Sequence, residues 1–171
     1  MKAVMASIRP QYCAEIATLR KRVEVRKTKP NLPTPFKIYI YCTLSGCNEF
    51  FRDYLHGDLA RWNREKWADK KGRVIGEFVC DGYDVFCPSE KGIAFKRFTA
   101  LAEARLTVEE LRKYAGRKPV FGWRISQLVI YDKPRELSEF RHEEEIGDGM
   151  RGLFALRRPP QSWCYVEDVA S

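Results

Sequence analysis

Lys21, Glu24 and Arg26 place an amine, a carboxylate and a guanidinium within two turns of backbone. An ammonium and a guanidinium around one carboxylate suit a polar planar ligand or a phosphate, because Arg presents a fixed fork of donors and Lys a compact charge. The carboxylate accepts from exocyclic amines, so such a set can read a base edge as well as hold a backbone. Arg9, just before Pro10, adds a further cation at the start of the same stretch. A second carboxylate, Glu77, lies in an alternating run with Ile75 and Val79 on its face and Val74, Gly76, Phe78 and Cys80 on the other. Burying it among aliphatics is costly unless it is protonated, hydrogen-bonded or paired. Glu77 is therefore expected to meet Lys21 or Arg26 in a shared cleft, the alternative being an edge-strand glutamate facing water.

Positioning these groups requires a helix that ends where a strand begins. Pro10 suits the first turn of a helix over about 10–20, and Tyr12, Ile16 and Leu19 give it one apolar stripe. The run from Arg22 to Arg26 then switches to period two, sending Val23 and Val25 to one face and Arg22, Glu24 and Arg26 to the other. Strands are expected at about 2–8, 22–28, 36–43, 73–80, 120–131 and 163–167. Pro30, Pro33 and Pro35 stiffen the link into the third strand. Phe51, Tyr54, Leu55, Leu59 and Trp62 predict a helix over 49–67, weakened at Gly57, whose aromatic stripe reads as core or as a lid. A second helix over 107–115 carries a capping box from Thr107 and Glu110 and a stop at Gly116. The acidic segment 132–148 reads as a loop.

These residues resemble the ASCH family (activating signal cointegrator homology), a branch of the PUA-like small β-barrels. Its pattern reads Ser-Ile-Lys-Pro, a helix, then Gly-x-Lys-x-x-Glu-x-Arg. Here Ser7-Ile8-Arg9-Pro10 matches with Arg for Lys, and Lys21, Glu24 and Arg26 stand at the family spacing, while Leu19 replaces the usual Gly. Lys37–Thr43, Gly72–Glu77, Gly122–Ser126 and Pro159–Val166 extend the resemblance over nearly the whole chain. It implies an α+β fold, a small PUA-like (ASCH) β-barrel with flanking helices, as one domain over 1–171 with a helical insertion at about 44–72. It also implies a cleft for RNA or a modified nucleoside or nucleotide, with Arg9, Lys21, Glu24 and Arg26 as the binding residues.

Composition agrees with a soluble globular domain: 171 residues, 44% hydrophobic and 32% charged, fit one compact core and exclude wholesale disorder. Net charge is +8, and the first thirty residues hold eight Lys and Arg against two acids. An excess concentrated beside the motif favours a polyanionic partner such as RNA. Arg9 and Pro10 interrupt any signal-peptide core and no long apolar run exists, so a cytoplasmic protein without a membrane partner is expected. The six cysteines lack a Cys-x-x-Cys pair and fit no common zinc spacing with His56 or His142, so no metal and no cofactor are expected. Oligomeric state is not legible.

Three readings of the charged set stand side by side. One is recognition of RNA or a nucleotide-like ligand. Another is a metal-independent hydrolase acting on RNA or on a modified nucleoside, with Lys21, Glu24 and Glu77 as catalytic groups. The family's amidohydrolases of acetylated cytidine carry Thr at the position of Glu24, and a carboxylate does not replace a hydroxyl nucleophile without changing the chemistry. The third is a salt-bridge network that only ties the second strand to its neighbours.

Overall fold

The computed structural model describes residues 1–44, 69–90 and 92–169. The expected aromatic helix over 49–67 lies outside them, as do Cys47 and His56. In chain order the elements are β1 (Lys2–Ile8), α1 (Pro10–Ala17), β2 (Val23–Arg26), β3 (Phe36–Cys42), β4 (Arg73–Ser89), β5 (Gly92–Ala94), α2 (Ala100–Ala104), α3 (Val108–Ala115), β6 (Val120–Arg135), β7 (Arg141–Gly147), β8 (Met150–Ala155) and β9 (Trp163–Glu167). A 3-10 turn at Leu137–Glu139 leads into β7. The class is α+β, with strands dominant.

The described residues fall into two compact units, one drawn from Met1–Ala14, Lys37–Glu77 and Val129–Ser171, the other from Glu15–Phe36 and Phe78–Leu128. In the first, β1 runs parallel to β3 and antiparallel to β9, with Val4 opposite Ile38 and Tyr165. Its core gathers Met5, Tyr39, Tyr41, Val74, Phe140 and Val166. A separate hairpin joins β7 and β8. In the second unit, β2 pairs antiparallel with β6 and β5 with the end of β4. Val23 and Val25 turn into its core with Phe86, Ala104 and Leu111, as the period-two reading of β2 requires. Gly122 lets β6 approach β2 closely, because a Cβ there would come within 2.6 Å of Val23 Cγ1. The strand pairings of the described residues form an open path ending at β2 and β9, so the expected closed barrel is not found among them.

Helix α1 ends earlier than its apolar stripe suggests. Arg20 N–H donates to Glu15 O and Leu19 N–H to Ile16 O, the paired bonds of a Schellman motif, and Leu19 takes the left-handed residue at φ +58°. Where the ASCH pattern has Gly, this chain holds a Leu in a conformation that costs roughly 1–2 kcal/mol without Gly. Leu19 is exposed, so little packing compensates. Leu19→Gly is expected to stabilise the fold by about 0.5–1 kcal/mol, part of the relieved strain being offset by the greater freedom of Gly in the unfolded chain. A lower urea midpoint for that variant would contradict this.

Candidate functional site

The Schellman turn delivers Lys21 to the junction, and a further bond from its own N–H to Glu15 O fixes the backbone there. From this point the chain enters β2, where Glu24 stands opposite Trp123 and Arg26 opposite Phe121. The face of β2 opposite the two valines thus buries a carboxylate and a guanidinium beside an indole. Arg26 Nη2 lies 3.0 Å from Glu24 Oε1, and Lys21 Nζ lies 3.5 Å from Glu24 Oε2. The guanidinium carbon of Arg26 sits 6.0 Å from the Trp123 ring centre, within cation–π range. Lys21 is 2% exposed and Glu24 and Arg26 are each 6% exposed, so the expected triad forms, and it forms inside the protein.

Helix α2 completes its coordination. Lys21 Nζ donates to Ala104 O at 2.6 Å and Arg22 N–H to Glu103 O at 2.8 Å, so the last carbonyls of this short helix are taken up by the start of β2. Arg105, left-handed at φ 56°, then turns the chain and reaches Glu15 at 3.6 Å. Burial pushes the Lys21 pKa below its ordinary value, against the upward pull of Glu24 and Glu15. Two cations around one anion leave the cluster net positive. Glu24 Oε2 is buried and accepts no hydrogen bond among the described residues.

From the end of β2 the same strand direction carries Lys27 and Lys29 to the surface. Lys27 Nζ lies 5.2 Å from the Tyr114 ring centre, and Lys29 Nζ lies 5.3 Å from that of Tyr83 and 5.8 Å from that of Phe121. Tyr114 also feels the triad: burial raises its pKa, while the Arg26 guanidinium pulls it down. Sequence reading missed these rings. Their signal was the Tyr114 side of the amphipathic helix α3, left half-exposed instead of facing the core.

Glu77 goes elsewhere, which corrects the expected partnership with Lys21 or Arg26. Its carboxylate accepts from Tyr131 Oη at 2.5 Å and pairs with Lys37 at 3.3 Å, all within the first unit. Lys37 also holds Asp168 at 3.0 Å, and Asp168 accepts from Tyr39 Oη at 2.6 Å. The strand places Glu77 half-buried as its alternation implies, and the cation that meets it, Lys37, is on β3. Arg9 is exposed in the first unit. Asp84 escaped the sequence reading: it is buried and held by Arg97, whose Nη2 reaches it at 2.6 Å while Nη1 reaches Glu103 at 2.6 Å. Among the described residues no group of three or more His, Cys, Asp and Glu could hold a metal, and no helix is long and apolar enough to cross a membrane.

No family model and no curated protein matches this chain. Among solved structures it is similar to the ASCH protein of Zymomonas mobilis, at 16% identity and a TM-score of 0.53, covering 96% of this chain and 87% of that one. A tyrosine-to-phenylalanine variant of the same protein aligns at 18% identity and TM-score 0.56, over 98% of this chain and 91% of that one. A serine-to-alanine variant gives 18%, 0.55, 96% and 88% in the same order. The chain therefore has an ASCH-like fold, as its Lys-x-x-Glu-x-Arg motif implied.

Proposed function

We propose that this protein binds single-stranded RNA, or a modified nucleoside within it, on the basic aromatic surface of its second unit. The observation that carries the reading is the succession along one strand of a buried, net-positive triad and two exposed lysines set over Tyr114, Tyr83 and Phe121. Cations supply phosphate attraction, and partly exposed rings supply stacking worth about 1–3 kcal/mol per base. In this reading the buried Lys21–Glu24–Arg26 cluster lies beneath that surface and adds its positive charge to the field that draws phosphate.

Titration of a labelled single-stranded RNA by fluorescence anisotropy over a salt series tests this. Log affinity is expected to fall against log salt with a slope of about −0.7 for each neutralised phosphate. Replacing Lys27 and Lys29 together by Ala should flatten that slope by about 1.4 in total and weaken binding at least tenfold. Tyr114→Ala should weaken binding by about 1–3 kcal/mol without altering the slope. Salt-independent affinity, or lysine variants that bind as the wild type does, would sink the proposal.

One observation favours hydrolysis as a second reading: Lys21, its pKa lowered by burial, lies 3.5 Å from Glu24, an amine–carboxylate pair of the kind used in acid–base catalysis. The Lys21 amine is engaged by the Ala104 carbonyl, and Glu77 by Lys37 and Tyr131. Incubation with acetylated cytidine or short RNAs is expected to release no product.

A further inference from the structure

The β7–β8 hairpin of the first unit carries a set of groups that the reading above leaves unused. In its register His142 stands opposite Phe154 and Glu144 opposite Gly152, so all four positions share one face. The Phe154 ring lies across Gly152, where a Cβ would come within 2.8 Å of its edge, and it remains 41% exposed. His142 Nε2 is 2.9 Å from Glu144 Oε1. With Ala155, Leu156, Arg157 and Arg158 they line a groove of about 440 Å³, inside the range of about 300–1,000 Å³ typical of small-molecule sites.

The two arginines sit between fixed points. Leu156 N–H donates to Phe140 O at 2.7 Å, and beyond them the Ser7 hydroxyl donates to Pro160 O at 2.6 Å and Ser7 N–H to Ser162 O at 3.0 Å. Pro159 and Pro160 stiffen the span that follows. The backbone that carries the two arginines is thus anchored at both ends, which lowers the cost of ordering it on binding.

We propose that this groove binds a nucleoside 5′-phosphate whose base bears an exocyclic amine. The base stacks on Phe154 beside His142, its amine donates to Glu144, and Arg157 and Arg158 take the phosphate. Guanidiniums match phosphate oxygens in bidentate geometry. An exposed ring offers a sequence-tolerant stacking face. The carboxylate gives the discrimination: Glu accepts from the cytosine amine and meets only a carbonyl on uracil. The same carboxylate disfavours a bare phosphate or pyrophosphate, which brings charge and no donor. This site stands on first-unit residues alone and does not rest on RNA binding by the second unit.

Calorimetric titration of the full chain with CMP, UMP and pyrophosphate, at fixed ionic strength, decides it. CMP should bind saturably and about tenfold more tightly than UMP or pyrophosphate. Phe154→Ala and the pair Arg157→Ala with Arg158→Ala should each weaken CMP at least tenfold, all three changes being on the exposed surface of the hairpin and its exit. Glu144→Gln should erase the preference for CMP over UMP. The Lys27 and Lys29 double variant should bind CMP as the wild type does. Pyrophosphate matching CMP, CMP affinity unchanged in Phe154→Ala, or no saturable binding would overturn the inference. RNA affinity lost in the lysine double variant alongside absent CMP binding would remove this site and leave the proposed function standing.

Discussion

Glu24→Gln is expected to lower the stability of the fold by about 3–5 kcal/mol, since removing one partner of a buried ion cluster leaves uncompensated charge in a dry site. Against a typical stability of about 5–15 kcal/mol, that loss is large and visible in urea unfolding. Its pH dependence identifies the cause. Lys21 already has a folded-state pKa below its unfolded value, so the unfolded chain binds more protons between those values and stability rises with pH across that window. Glu24→Gln removes the main upward pull on Lys21 and widens the window downward. The stability gap between variant and wild type should therefore narrow as pH rises from the variant's folded Lys21 pKa to that of the wild type, by at most about 1.4 kcal/mol per pH unit. A loss under about 1 kcal/mol, or a gap that does not change with pH, would mean that the triad is more hydrated than its burial implies.

The triad was legible because local backbone makes it. Lys21 and Glu24 straddle a helix end and a strand start, and a Schellman turn followed by period-two backbone brings them together with few contributions from distant sequence. The signal for the turn was weakened by Leu19, which stands at the left-handed position without the glycine that would announce it. The helix α2 that receives Lys21 was not legible. It spans five residues, too short to show a 3.6-residue period, and its role is to offer carbonyls, which every residue has.

Other misses have similar causes. β7 and β8 lie in and just beyond a segment read as acidic loop; their residues are largely exposed on both faces, so no buried side imposes an alternating apolar pattern. β4 continues to Ser89 because Gly82, Asp84 and Phe86 keep the period beyond Cys80, with a buried Asp where the pattern asks for an apolar residue. Arg97, brought from the far side of β5, makes that Asp84 tolerable, and spacing along the chain does not reveal such a partner. Glu77 teaches the same lesson in reverse: strand alternation correctly implied a carboxylate in need of a cation, and tertiary structure supplied Lys37.

Lys37→Met, the second large effect, follows from that supply. In the first unit one ammonium sits between Glu77 at 3.3 Å and Asp168 at 3.0 Å, with Tyr131 and Tyr39 donating to the same carboxylates. Burial alone would lower the Lys37 pKa, but Asp168, Tyr39 and Glu77 outweigh it and the net shift is upward. Its contribution to stability is then complete below the unfolded value near 10.5 and disappears only above the folded one. Replacing the ammonium by a thioether leaves two carboxylates that repel each other, at an expected cost of about 2–3 kcal/mol near pH 7. For Asp168 the sign at acid pH is opposite to that of Lys37: burial pushes its pKa up, but the Tyr39 and Lys37 hydrogen bonds and the Lys37 charge together outweigh it and the folded pKa is lowered, so wild-type stability falls as acid protonates it. In Lys37→Met that relation should invert. With the cation gone Asp168 loses the partner that favours its charged form, and protonating it relieves the repulsion. Denaturation midpoints measured from pH 7 down to pH 4 should converge for wild type and variant, the difference shrinking to less than half. Parallel curves would show that Lys37 does not hold the two carboxylates in the folded state.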